Sequence, residues 1–172
     1  TGTTWSERAK LTASDAAASD LFGFSVSVDG DTAVIGSVLD DDTASESGSA
    51  YVFSRNQGGA DTWGQVVKLT ASDAAQNDYF GNAVTLSGDT ALISAYGDDS
   101  GAGSAYVFVR NGASWSQQAR LVAPDAGSGD EFGCSLAVSG ERIVVGARSD
   151  DDAGFQSGSA YVYARGGGVW HE

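Results

Sequence analysis

The segment Gly48-Ser49-Ala50-Tyr51-Val52-Phe53 returns as Gly103-Ser104-Ala105-Tyr106-Val107-Phe108 and again as Gly158-Ser159-Ala160-Tyr161-Val162-Tyr163, 55 residues apart both times. A period of this length confines the chain to stacked or radial repeats, in which each unit covers the apolar face of its neighbour. Two other landmarks keep step with it. Phe-Gly recurs at Phe22-Gly23, Phe80-Gly81 and Phe132-Gly133, and Trp at Trp5, Trp63, Trp115 and Trp170. The chain, 1–172, is therefore read as one segment with repeats at approximately 5–55, 63–110 and 115–165, and with 170–172 as the truncated start of a fourth.

Each repeat contains four stretches of strand character and no helical periodicity. Thr4-Trp5-Ser6-Glu7-Arg8-Ala9-Lys10-Leu11-Thr12 alternates bulky and polar residues, as do the stretches beginning at Trp63 and Trp115, which predicts a half-exposed strand. The Phe-Gly stretch alternates large with small, as in Phe22, Val26 and Val28 against Gly23, Ser25 and Ser27. One large and one small face suit a strand packed between neighbours. Short Gly-centred turns (Asp29-Gly30-Asp31, Ser87-Gly88-Asp89, Ser139-Gly140-Glu141) lead to the apolar runs beginning at Thr32, Thr90 and Arg142, a hairpin pattern. An acidic loop then precedes the Gly-Ser-Ala-Tyr strand. Four antiparallel strands per repeat, without a helix, define a blade of an all-β propeller, three blades in this chain.

With Phe-Gly followed by an apolar strand ending Gly36-Ser37-Val38 or Gly146-Ala147-Arg148, the repeat resembles the FG-GAP repeat of integrin α-subunit propellers. It is most similar to the bacterial branch, through its Leu-Thr-Ala-Ser-Asp, Gly-Asp-Thr-Ala and Gly-Ser-Ala-Tyr-Val-Phe phrases. The resemblance implies the propeller fold and leaves the function open. The integrin-type calcium loop, an Asp-x-Asp-x-Asp-Gly run between the first two strands, has no counterpart here, because the turns at Gly30, Gly88 and Gly140 are too short to wrap an ion.

Charge narrows the partners. Nine Lys and Arg against 23 Asp and Glu give a formal net charge of −14, which disfavours nucleic acid and anionic membrane and favours cations or basic partners. Strand parity places most acids at one end of every blade. These are Asp15, Asp20, Asp40, Asp41, Asp42, Glu46, Asp73, Asp78, Asp98, Asp99, Asp125, Asp130, Glu131, Asp150, Asp151 and Asp152, against a single base, Arg148; Arg55, Arg110 and Arg165 fall at the other end. All of these Asp residues are candidate ligands for Ca2+, with Asp40 to Asp42 and Asp15 or Asp20 approaching one ion and analogous sets in the other repeats. The competing reading is a solvated acidic surface.

Catalytic signatures are lacking. The lone His171 lies one residue from the end, and the lone Cys134 has no His partner and reads as a buried structural thiol. A carboxylate set recurring three times suits binding more than catalysis, so the expectation is not an enzyme. The Trp residues could stack on sugars as in a lectin, although packing against a neighbouring outer edge is the commoner use of such a position.

The strand count leaves complementary ends. The Trp strand should be the outer strand, paired with the preceding Gly-Ser-Ala-Tyr strand, so the Trp5 strand has no predecessor and the Tyr161 strand has only Trp170-His171-Glu172. Trp5, Ala9 and Leu11 on one side and Tyr161, Val162 and Tyr163 on the other are the candidate assembly edge. Two chains would close a six-bladed ring; a non-closing version would be a filament, and missing blades of a longer chain are the alternative. A chain without Met that starts at Thr1 reads as a mature, exported piece, extracellular or at the cell surface. The sequence-level expectation is an exported binding or structural module that pairs with itself, with a protein or glycan ligand; a lectin is the runner-up and a hydrolase the third reading.

Overall fold

The computed structural model describes residues 4–172, as three four-stranded antiparallel sheets. Sheet I contains β1 (Phe22–Asp29), β2 (Thr32–Ser37), β3 (Ser49–Arg55) and β4 (Trp63–Leu69). Sheet II contains β5 (Phe80–Ser87), β6 (Thr90–Ala95), β7 (Ser104–Asn111) and β8 (Ser114–Leu121), and sheet III contains β9 (Phe132–Ser139), β10 (Arg142–Ala147), β11 (Ser159–Gly166) and β12 (Val169–His171). Strand order within each sheet follows the chain. Each sheet thus takes its outer strand from the start of the next sequence repeat: Arg55 pairs with Trp63, Arg110 with Trp115 and Arg165 with Trp170.

The recurring aromatic residues have one common task. In every sheet the Phe of Phe-Gly packs against the Tyr of Gly-Ser-Ala-Tyr, with ring centroids 5.5 Å apart in Phe22–Tyr51, Phe80–Tyr106 and Phe132–Tyr161. Tilted or edge-on rings at this distance add attraction beyond the area they bury. Sheets then stack face to face. Val34 and Val52 of sheet I share a core with Phe80, Ile93 and Tyr106 of sheet II, and Leu92 and Val107 of sheet II share one with Phe132, Val145 and Tyr161 of sheet III.

Glycine is required where sheets touch through backbone. The Phe80 amide donates to Ser47 O at 2.8 Å and the Phe132 amide to Ala102 O at 2.9 Å, stitching each sheet to the loop before the preceding Tyr strand. A Cβ on Gly48 would lie 2.0 Å from Phe80 O, and one on Gly103 2.1 Å from Phe132 O. Both glycines also hold a positive φ.

Two strand-level expectations are corrected. Trp5 to Thr12 is not a strand: residues 4–13 are irregular, and Trp5 is fully exposed. Alternation marks the stretch as strand-competent, but a strand requires a ladder partner, and no Tyr strand lies beside it. Its end is docked, with Leu11 and Ala13 packed on Ile35, Tyr51 and Phe53 as Leu69 and Ala71 pack between sheets I and II. The second correction is a four-residue helical turn, α1 (Asp98–Gly101), in the acidic loop of sheet II, where Asp99 and Ser100 adopt left-handed backbone angles. Cys134, expected to be buried, is only partly so, and its Sγ–H donates to Gly146 O at 3.3 Å.

The three sheets do not close a ring. Gly103→Ala is expected to cost about 3 kcal/mol, because the new methyl meets a carbonyl and the backbone angle is strained. At this chain length that lowers Tm by roughly 10 °C; thermal unfolding followed by circular dichroism checks it, and an unchanged Tm would contradict the close sheet contact.

Candidate functional site

The acidic loops converge at one end, and each repeat builds the same cluster there. In sheet I, Asp40 is buried, and its carboxylate accepts from the Tyr51 hydroxyl at 2.7 Å. Lys68, near the end of β4, reaches the same carboxylate at 2.8 Å, Asp42 at 2.6 Å and Asp15 at 3.0 Å. In sheet II, buried Asp98 accepts from the Tyr106 hydroxyl at 2.8 Å, and Arg120 of β8 contacts Asp98 at 2.8 Å, Asp99 at 2.5 Å and Asp73 at 3.4 Å. In sheet III the Tyr161 hydroxyl lies 2.6 Å from buried Asp150 and 2.8 Å from Asp125, and Asp152 follows in the same loop. Among the described residues no basic side chain enters this third cluster; Arg148 pairs with Glu131 instead.

The ionisation of these groups follows from their neighbours. Burial pulls the Lys68 ammonium down, but its hydrogen bonds to Asp40 and Asp42 outweigh that and hold it above the usual lysine value. Burial and the bond to Asp40 push the Tyr51 phenol up, and Tyr106 and Tyr161 are raised in the same way by burial and by Asp98 and Asp150. Burial raises Asp98, yet Ser104, Tyr106 and Arg120 bring it below the ordinary carboxylate range. Asp152 runs the other way: repulsion from Asp150 and Asp125 raises it. Asp150 is held below the ordinary carboxylate range by the Tyr161 hydroxyl and the Asp152 backbone N–H.

The sequence-predicted residues divide into two groups. Asp15, Asp40 and Asp42 come together, with oxygens within 4.8 Å of one another, and Asp73, Asp98 and Asp99 each contact Arg120. Asp125, Asp150 and Asp152 form the third set. The buried Asp20, Asp78 and Asp130 close their own loops, each accepting a backbone N–H at 2.6 Å, from Ala17, Ala75 and Gly127, and Asp78 lines the same cavity as Asp73, Asp98 and Asp99. Asp41 and Asp151 are exposed. Lys68 and Arg120 were missed by counting loop residues alone. Their signal was present: both stand five residues after a Trp, and so does Lys10.

Of the predicted assembly edge, Tyr161 and Tyr163 are buried against sheet II, Tyr163 donating to Val122 O at 2.7 Å, whereas Val162 points to the open face of sheet III. Trp5 and Ala9 are exposed and Leu11 is partly covered. Trp115 and Trp170 lie under the guanidinium groups of Arg110 and Arg165, and Trp63 packs on the Ile35–Tyr51–Phe53 cluster.

The FG-GAP repeat model matches residues 5–53, 63–108 and 115–163, and the chain belongs to the FG-GAP repeat family. These repeats suggest a β-propeller-type module. No curated protein matches the chain. Among the described residues, no helix is long and apolar enough to cross a membrane.

Alkaline pH tests the Tyr–Asp bonds. Tyr51, Tyr106, Tyr161 and Lys68 all have raised folded values, so they favour the folded state below their ordinary values, which for the tyrosines is 10.0, and the gain is lost as pH rises through the folded ones. Stability should fall progressively above about pH 10. Tyr106→Phe should cost about 1.5 kcal/mol near neutrality and make that fall shallower; an unaltered alkaline slope in denaturant titrations would contradict the assignment.

Proposed function

We propose that the chain is a non-enzymatic binding and structural module, exported, which assembles by joining its two open ends to those of a second copy. The supporting observation is that the ends are the two halves of an interface already used twice inside the molecule. On sheet I, Val26 and Val28 are 68% and 66% exposed, whereas Leu86, which matches Val28 in sheet II, is 7% exposed against sheet I. On sheet III, Val162 is 52% exposed, whereas its counterparts Val52 and Val107 are sealed between sheets. Apolar surface of this kind, repeated at both ends with matching partners, favours association over solvation.

Two copies joined at both ends bring six sheets together, within the roughly four to eight that close a propeller. The carboxylate clusters of sheets I and II carry their own counterions in Lys68 and Arg120. In this reading calcium is not needed to hold them together, and the acidic end serves solubility and the choice of basic partners. A non-enzymatic role fits the repetition of one polar arrangement in three places.

Light scattering tests the reading. The expected native mass is twice the 17.5 kDa of the chain, unchanged when calcium is replaced by a chelator. A monomer at every concentration would overturn it and assign the open faces to further repeats of a longer chain. A mass that falls on chelation would make a metal part of the assembly.

A further inference from the structure

Between sheets I and II, at the end that carries Arg110, lies a cavity of about 200 Å3 whose walls include Thr32, Gln57, Val66, Arg110 and Trp115. A drug-sized ligand needs roughly 300 Å3 or more, so this space suits one small molecule.

One side chain sets this interface apart from the next. Between sheets II and III, the Trp170 indole N–H donates to Gln118 Oε1 at 3.3 Å. Val66 stands where Gln118 does, three residues after its Trp, and packs on the same core as Trp115. A valine accepts no hydrogen bond, and among the described residues the Trp115 N–H has no partner. Arg110 covers the Trp115 ring, 5.8 Å from its centroid, so recognition falls to the indole N–H and not to stacking.

The other walls are built as well. In sheet I, Asn56 to Thr62 join β3 to β4, where in sheet II only Gly112 and Ala113 join β7 to β8. Gln57 of that longer loop lies over Gly64, where a Cβ would come within 3.1 Å of its Cγ; sheet II has Ser116 at the matching place. Its side-chain amide is exposed and makes no hydrogen bond among the described residues. The charge in the cavity is already matched, because Arg110 pairs with Asp89 at 2.5 Å and donates to Thr32 Oγ1 at 3.2 Å. The Thr32 hydroxyl keeps its own hydrogen to donate.

We propose that this cavity binds a single neutral sugar residue, one hydroxyl oxygen of which takes the place at Trp115 that Gln118 takes at Trp170. The Thr32 hydroxyl and the Gln57 amide serve further hydroxyl groups, and Val66 meets the apolar ring face. An anion gains little from an arginine that is already paired, and a purely apolar ligand leaves the indole N–H unsatisfied. The cavity involves neither open face of the molecule, so the inference stands apart from how copies associate.

Nuclear magnetic resonance of nitrogen-labelled protein tests this. The four tryptophans give four indole N–H signals, and Trp115→Phe identifies that of Trp115. Glucose, galactose, mannose and N-acetylglucosamine are titrated separately. At least one should shift the Trp115 signal and leave that of Trp170 unmoved, with the millimolar affinity that about a dozen heavy atoms supply. Val66→Gln restores the partner found at Trp170 and should weaken that binding roughly tenfold or more. Gln57→Ala changes an exposed side chain and should weaken it severalfold with the melting temperature unchanged. A Trp115 signal that none of the four sugars moves would overturn the assignment. So would binding undiminished in Val66→Gln, or in Gln57→Ala where the first variant does not fold.

Discussion

A buried carboxylate in each repeat, Asp40, Asp98 or Asp150, is the constraint on which the acidic end of the molecule depends. Taking such a group out of water is unfavourable unless it is hydrogen-bonded and paired. Tyr51, Tyr106 and Tyr161 supply the hydrogen bond from within the sheet. The charge has to come from elsewhere, and in sheets I and II it comes from the outer strand. In those two sheets, formation of the outer strand and neutralisation of the buried acid are therefore one event, which couples each to the start of the next repeat.

The same coupling runs through the apolar interfaces. The Phe of Phe-Gly braces its own sheet through the Tyr ring, and its backbone is hydrogen-bonded to the loop of the preceding sheet, where Gly48 or Gly103 permits the approach. A sheet in the middle position has both faces covered and both clusters around it filled. Sheet II satisfies this fully, with Phe80, Leu92, Ile93 and Tyr106 sealed from solvent. Sheets I and III each satisfy half of it, on opposite sides, leaving Val26 and Val28 of sheet I and Val162 of sheet III exposed.

Much of the fold was legible in the sequence because its determinants are local. The large–small alternation after Phe22, the two-residue turns at Gly30 and Gly88, and the tyrosines at positions 51, 106 and 161 lie within single repeats and mean the same thing each time. The site was only partly legible because its pairing is not local. Lys68 stands 53, 28 and 26 residues from Asp15, Asp40 and Asp42, across a repeat boundary, so a tally of loop charges overlooks it. Asp20, Asp78 and Asp130 look like the other loop acids in composition, but their role as loop closures depends on backbone N–H groups that the sequence does not reveal. The Trp5 stretch misled for a related reason: alternation records the capacity to form a strand, and the ladder partner decides whether one forms.

The central claim is that a second copy covers the open faces of sheets I and III. Hydrogen–deuterium exchange measured over a range of protein concentration addresses it directly. The amides around Val26 and Val28 and those around Val162 should gain protection together as concentration rises, at the concentration where the mass doubles. Exchange there that is unchanged at every concentration, while the mass doubles, would show that the copies join by another surface and would contradict the account.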